Sequence, residues 1–161
     1  MRVLNLPSYP FRLSEKSGKT YIYDPLRRKR VALTPEEWVR QHFVQFLISA
    51  RSYPTARIAN EVSINLNNTS KRCDSVVYDD FMNPLVIIEY KSPEVAITDV
   101  AFNQIARYNS ALRAPYLMVS NGLKHYCCRM DYLTMECRFL EDIPDYKGLI
   151  KKNENGFYST I

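Results

Sequence analysis

The segment Asn83-Pro84-Leu85-Val86-Ile87-Ile88-Glu89-Tyr90-Lys91-Ser92-Pro93 constrains the fold of this chain more than any other. Asn-Pro and Ser-Pro are turn signals, and the apolar, β-branched run between them has the pattern of a buried strand. Side chains on a strand alternate between faces, so Ile87, Glu89 and Lys91 share one face, and Val86, Ile88 and Tyr90 the other. The carboxylate and the amine then lie about 6 to 7 Å apart along the strand. Isolated charges are costly to bury and normally find a partner or a metal. Charges at a strand end also mark the point where a strand leaves the core for solvent, so this segment alone leaves both readings open.

The residues before it supply partners. Arg57 to Leu66 alternates, with Ile58, Val62, Ile64 and Leu66 on one face, and Cys73 to Tyr78 forms a second short run that places Asp74 on the face of Val76 and Tyr78. Turns at Asn67–Ser70 and Asp79–Asn83 make the three segments an antiparallel meander that registers Asp74 against Glu89. Neighbouring strands sit about 4.8 Å apart, so the two carboxylates lie side by side with Lys91 one step further on. Each raises the other's hold on a proton, and a divalent cation relieves the repulsion. Mg²⁺ or Mn²⁺, held by two carboxylates, a backbone carbonyl and a phosphate, with an amine to orient or deprotonate water, suffices for phosphodiester hydrolysis.

Helices flank this meander. Thr34-Pro35-Glu36-Glu37 places a cap, a first-turn proline and a capping-box acid ahead of Trp38, Val39, Phe43, Phe46 and Leu47 at helical spacing. Glu37 thus has a structural reading as the capping acid, and Glu36 as a charge that complements the helix dipole. A second helix runs from Ile97 to Leu112 with Thr98 at its cap, and Gln104 and Tyr108 share a face at i and i+4. Tyr116–Ser120 is a covered strand, Asn121-Gly122 a turn, and Leu123–Arg129 and Tyr132–Leu140 are further strands. A helix leading to a central strand implies a mixed sheet.

Length and charge bound the rest. At 161 residues the chain is long enough for one well-buried domain. Residues 1–20 read as an arm, 21–140 as the domain and 141–161 as a tail without clear periodicity, partly disordered. A net charge of +5 permits a polyanionic partner without demanding one. Arg27, Arg28, Lys29 and Arg30 join Tyr21–Tyr23 to Val31–Leu33 in a short hairpin; the run reads as a solvated loop or as a phosphate contact. Cys73, Cys127, Cys128 and Cys137 have neither zinc-site nor disulfide-framework spacing and read as reduced thiols, which fits a cytoplasmic protein. No signal peptide, membrane-length apolar run or Walker-type glycine loop is present, so neither a membrane nor a nucleotide cofactor is expected.

Asp74, fourteen intervening residues and then Glu89-Tyr90-Lys91 resembles the D…(D/E)-x-K motif of the PD-(D/E)XK nuclease superfamily. Tyr23–Arg27, Leu33–Gln41, Lys71–Asp74, Ile88–Pro93, Gln104–Asn109 and Asn121-Gly122 together resemble the N-terminal nuclease domain of type I restriction enzyme R subunits. The resemblance covers about residues 20–140. It implies a restriction-endonuclease-like α/β fold, a mixed central sheet with an antiparallel meander and flanking helices. It further implies a Mg²⁺-dependent DNA phosphodiesterase, with Asp74, Glu89 and the Tyr90 carbonyl as metal ligands and Lys91 as the catalytic lysine. Gln104 and Tyr108 match the Q-x-x-x-Y motif of that group, and Glu37, ahead of Glu36, is the first-helix acid. Glu61 reads as a solvated strand acid. Tyr90 departs from the small residue often found there, and Cys73 from the usual proline. DNA is the implied partner, with a second copy or a motor or specificity chain to choose the site. A metal-dependent RNase and a catalytically silent nucleic-acid-binding or assembly module with the same fold are the alternatives.

Overall fold

The computed structural model describes residues 1–66 and 68–157, apart from the side chains of 66, 107, 108, 152 and 154–157. Chain order is β1 (Leu13–Lys16), β2 (Lys19–Asp24), β3 (Lys29–Ala32), α1 (Pro35–Ala50), β4 (Ile58–Leu66), β5 (Thr69–Tyr78) and β6 (Pro84–Tyr90). Then come α2 (Asp99–Leu112), β7 (Tyr116–Ser120), β8 (His125–Asp131), β9 (Glu136–Phe139) and α3 (Tyr146–Phe157). β1, β2 and β3 form a small antiparallel sheet, and β4 to β9 a six-stranded sheet in sequence order. Its one parallel pair is β6 with β7, which α2 connects as a crossover. The mixed α/β fold is the one the sequence implied.

Strand β6 is the centre of this sheet because nothing in Leu85–Ile88 tolerates water: all four are buried. Burial of each such side chain stabilises the fold by about 1.5 to 3 kcal/mol. Its alternation divides the core. Val86, Ile88 and Tyr90 pack with Val39, Phe43 and Leu47 of α1. Ile87 packs with Ala101 and Ile105 of α2. The β5–β6 register is as anticipated: Ser75 faces Ile88 and Val76 faces Ile87.

Alternation fails at one step, and this corrects the expected faces. Glu61 in β4 has φ +59°, in the left-handed region. On one side of it Ile58 packs with the α1 layer; on the other, Val62 and Ile64 pack with the α2 layer. Across from it Cys73 packs with the α2 layer although it is three residues from Val76. Both strands therefore turn over at Glu61 and Asp74. Asp74 faces α1 and not, as expected, the side of Val76; its carboxylate meets Arg40.

The termini close the core. Leu4 is buried and Asn5 N–H bonds Gly122 O at 2.8 Å. Gly122 has φ +80°, and a Cβ there would lie 2.7 Å from Leu4. Where the sequence after Glu141 shows no clear periodicity, α3 forms, with Ile143, Tyr146 and Leu149 buried against the α1 layer. Among its described side chains the core residues lie in one turn, too few to produce a periodic signal. Residues 158–161, the end of the tail read as partly disordered, lie outside the described residues. Cys73 and Cys127 are buried and outside any disulfide, as expected, but Cys128 of β8 and Cys137 of β9 form a disulfide. The β8–β9 pairing brings these two together, which spacing along the chain does not reveal. Among the described residues no helix is long and apolar enough to cross a membrane.

Candidate active site

The end of β6 gathers the charged groups singled out in the sequence. Glu89 is buried, and Lys91 Nζ donates to its Oε1 at 3.0 Å and to Gln104 Oε1 at 3.1 Å. Gln104 reaches Lys91 because α2 lies on the face of β6 that carries Ile87, Glu89 and Lys91. Lys91 N–H bonds Ser120 O of β7 at 2.9 Å, which fixes the backbone that carries the amine. Burial, and next the charge of Asp74, push the Glu89 carboxyl up to about 7, against the hydrogen bond and charge of Lys91.

Asp74 sits where the strand ladder gives out. The Tyr90 N–H donates to Asp74 Oδ2 at 2.9 Å, a side chain standing in for a strand partner. Arg40 Nη2 donates to its other oxygen, Oδ1, at 2.9 Å. Arg40, on α1, also donates through Nη1 to Glu61 Oε1 at 2.8 Å and to Glu37 Oε2 at 2.9 Å. Its Nε is buried with no partner among the described residues, and its guanidinium lies 5.5 Å from the centre of the Tyr90 ring. Arg27 completes the network. It donates to Asp24 and to Glu37, and lies 3.8 Å from Glu61. Asp24, fully buried, also accepts the N–H groups of Leu26 and Arg27 at 2.8 and 3.1 Å and the Asn60 amide at 3.0 Å.

Five carboxylates (Asp24, Glu37, Glu61, Asp74, Glu89) therefore face three cations (Arg27, Arg40, Lys91), all with side chains no more than 25% exposed. With all groups ionised, the cluster is two positive charges short. Arg72 also reaches Glu61 at 2.8 Å, but from solvent, at 67% exposure.

These facts place each residue proposed from sequence. Asp74, Glu89, Lys91 and Gln104 come together. Tyr90 directs its side chain into the α1 layer, where its hydroxyl donates to Ser75 Oγ at 3.0 Å, and only its backbone faces the site. Tyr108 is within α2, but its side chain lies outside the described residues. Glu37 N–H bonds Thr34 Oγ1 at 3.1 Å, which is half of a capping box. Its carboxylate turns instead to Arg27, Arg40 and Gln41, so Glu37 joins Asp74 through Arg40. Glu36 is exposed in the first turn, and its charge adds to the rise at Glu89. Glu61 is no solvated acid, since three arginines hold it. Arg27 is corrected as a nucleic-acid contact: its guanidinium is committed to the cluster at 12% exposure. Arg28, Lys29 and Arg30 are exposed at the surface.

Arg40 and Asp24 were not singled out by sequence. The Glu37–Arg40 spacing of three is a legible helix pair, but its reach to β4 and β5 is a tertiary fact. Asp24-Pro25-Leu26-Arg27 has the look of an ordinary turn, and gives no sign that its arginine is buried.

Chemically, the arrangement offers paired carboxylates of unequal proton affinity, an amine one hydrogen bond away, and excess negative charge. Among the described residues no group of three or more His, Cys, Asp or Glu side chains is arranged to hold a metal. Asp74 and Glu89 nonetheless suit Mg²⁺, which takes one or two carboxylates and fills its shell with waters and substrate phosphates.

A family model described as "Type I restriction enzyme R protein N terminus (HSDR_N)" matches residues 35–144. Among solved structures, a fragment assigned as an HsdR subunit of a type I restriction enzyme from Vibrio vulnificus YJ016 aligns with a TM-score of 0.57 at 18% identity. The alignment covers 76% of this chain and 26% of that one, so this chain corresponds to about a quarter of the fragment. At that identity the likeness is one of fold. A search of the curated proteins finds no match.

Proposed function

Because this chain belongs to the type I restriction enzyme R protein N-terminal family, we propose that it is a metal-dependent phosphodiesterase acting on DNA. The observation that carries the reading is Lys91 Nζ held between Glu89 and Gln104 at 3.0 and 3.1 Å, with the charge of Asp74 acting on Glu89. A binding module that meets a polyanion has no use for one buried and one half-buried acid at that place. Asp74, Glu89 and the Tyr90 carbonyl would hold Mg²⁺ or Mn²⁺, which supplies Lewis acidity toward the phosphate and a more acidic water.

The chain's own groups have separate tasks. Lys91, fixed by Gln104 and by its backbone bond to Ser120, orients water or stabilises charge on the phosphate. Glu89 must be ionised to ligate, so metal affinity rises with pH up to about 7 and levels off above it. Arg28, Lys29 and Arg30, at the surface of the β2–β3 hairpin, meet DNA phosphates. Site choice falls to a second copy or to a motor or specificity chain.

The test is cleavage of supercoiled plasmid and of single-stranded DNA with Mg²⁺ or Mn²⁺, alongside Lys91→Ala and Glu89→Ala. Metal-dependent nicking that both substitutions abolish supports the reading. Loss of a general acid–base group costs about 10²- to 10⁴-fold, so activity unchanged by either substitution refutes the assigned site. DNA binding without cleavage under any metal favours the silent binding module, and cleavage of RNA alone favours the RNase.

A further inference from the structure

We infer that Arg40 is a positioning residue that acts as a built-in counter-ion to Asp74 and sets how tightly the site takes a divalent cation. The inference rests on the metal-dependent reading and goes beyond it to a residue on α1 that touches neither Glu89 nor Lys91 in the described bonds.

Three observations carry it. Arg40 is the point where α1, β4 and β5 are tied: one guanidinium serves Glu37, Glu61 and Asp74 at 2.8 to 2.9 Å. Arg40 is 6% exposed and its Nε has no partner among the described residues, so the burial of this charge is tolerated for the sake of the acids it serves. Asp74 lies at the step where β4 and β5 turn over. The bonds from Arg40 and from Tyr90 N–H take one oxygen each, and so fix the direction of its carboxylate.

A unit charge at hydrogen-bond distance from a ligand opposes a dication bound to that ligand. Even with the screening of water, a charge a few ångströms from a dication alters affinity by about tenfold. Arg40 thus keeps Asp74 aimed and its charge partly satisfied, and leaves the cation weakly held until a polyanionic substrate adds phosphate oxygens. The same guanidinium links the cation site to Glu37 and, through Glu37, to Arg27 and the β2–β3 hairpin.

The experiment is Mn²⁺ titration by calorimetry of the full chain, for wild type, Arg40→Gln and Arg40→Lys, with thermal midpoints taken with and without Mn²⁺. Arg40→Gln is expected to bind Mn²⁺ about tenfold more tightly and to gain more in midpoint from Mn²⁺ than wild type. Arg40→Lys, which retains the charge, is expected to bind within about threefold of wild type. If Arg40→Gln does not fold, Arg40→Gln with Glu37→Gln serves in its place; Glu37 bonds the other amino group of the guanidinium from Asp74, so loss of its charge offsets only part of the gain, and Mn²⁺ must still bind more tightly than to wild type. Wild-type binding with no tightening in either glutamine variant overturns the counter-ion role and leaves the metal reading intact. Absence of Mn²⁺ binding in wild type and variants alike overturns both.

Discussion

Glu89→Gln in the metal-free chain isolates the largest electrostatic liability of the site. In the unfolded chain this carboxyl ionises near 4.5, and in the fold near 7, mainly because it is buried and next because Asp74 stands beside it. Between those values the folded chain holds a proton that the unfolded chain has released, so stability falls as pH rises through the window and is level above it. The move from 4.5 to about 7 is worth about 3 kcal/mol, at about 1.4 kcal/mol per decade. The substituted amide would present the same shape without the charge, so the variant escapes the loss. Glu89→Gln should therefore match wild type at pH 4 and exceed it by about 3 kcal/mol at pH 8. In a chain of this length that is roughly 6 to 12 °C in Tm. Urea unfolding of both proteins at half-unit steps from pH 4 to 8, with a chelator present, measures it. Stability profiles that stay parallel across the window would refute the argument that burial and Asp74 hold the proton on Glu89.

Other expectations follow from the same geometry. Asp24→Asn should cost about 3 to 5 kcal/mol at pH 7, the cost of breaking a buried ion pair, read by urea unfolding. Burial raises this carboxyl, but bonds from Arg27 and Asn60 hold it below its ordinary 3.8, so its contribution persists above that pH and is lost only as pH falls below it. Replacing Arg28, Lys29 and Arg30 together with alanine should flatten the salt dependence of DNA affinity by a slope of about 2 to 3, with little change in Tm. Arg27→Ala should instead unfold more readily, and equal effects of the two changes on DNA binding would refute the division. Gly122→Ala should lose about 1 to 3 kcal/mol, because its Cβ would lie 2.7 Å from Leu4 and 3.1 Å from Val39 at a left-handed φ. Rapid proteolysis of the arm in that variant is the companion observation.

Much of the centre was legible. The Asn83-Pro84 turn and the apolar run after it set the β5–β6 register from the residues alone; it brings Asp74 near enough to raise the hold of Glu89 on a proton, although Asp74 turns to the opposite side from the one expected. Lys91 followed from strand alternation, whereas helix spacing paired Gln104 only with Tyr108, and its place in the site came from the family resemblance. The turning over of β4 and β5 was not legible, because no glycine or proline marks it; a glutamate takes the positive φ. Nor was the fate of Arg27. A run of four basic residues is read as one surface feature, whereas the fold takes its first member inward to Asp24 and Glu37 and leaves the other three outside. Glu37 has the local look of a capping acid, and only α1 packing against β4 and β5 turns it toward two arginines. Among the described side chains of α3, Tyr146 and Leu149 carry its docking, a single turn that leaves little periodic signal.

The hairpin arginine has a practical consequence for anyone who trims this chain. The segment 35–144 that the family model matches begins at the first helix, and a chain cut there would keep Glu37, Asp74, Glu89, Lys91 and Gln104. It would lack Arg27, and the buried Glu37 and half-buried Glu61 would keep one guanidinium between them where two now stand. It would also lack the helix that shields Tyr53 and Tyr78 through Tyr146. Such a fragment should be insoluble or inactive for reasons unrelated to its chemistry, so a negative assay on it would say nothing about the intact chain. The smallest useful unit for any cleavage experiment starts before Asp24 and ends after Leu149.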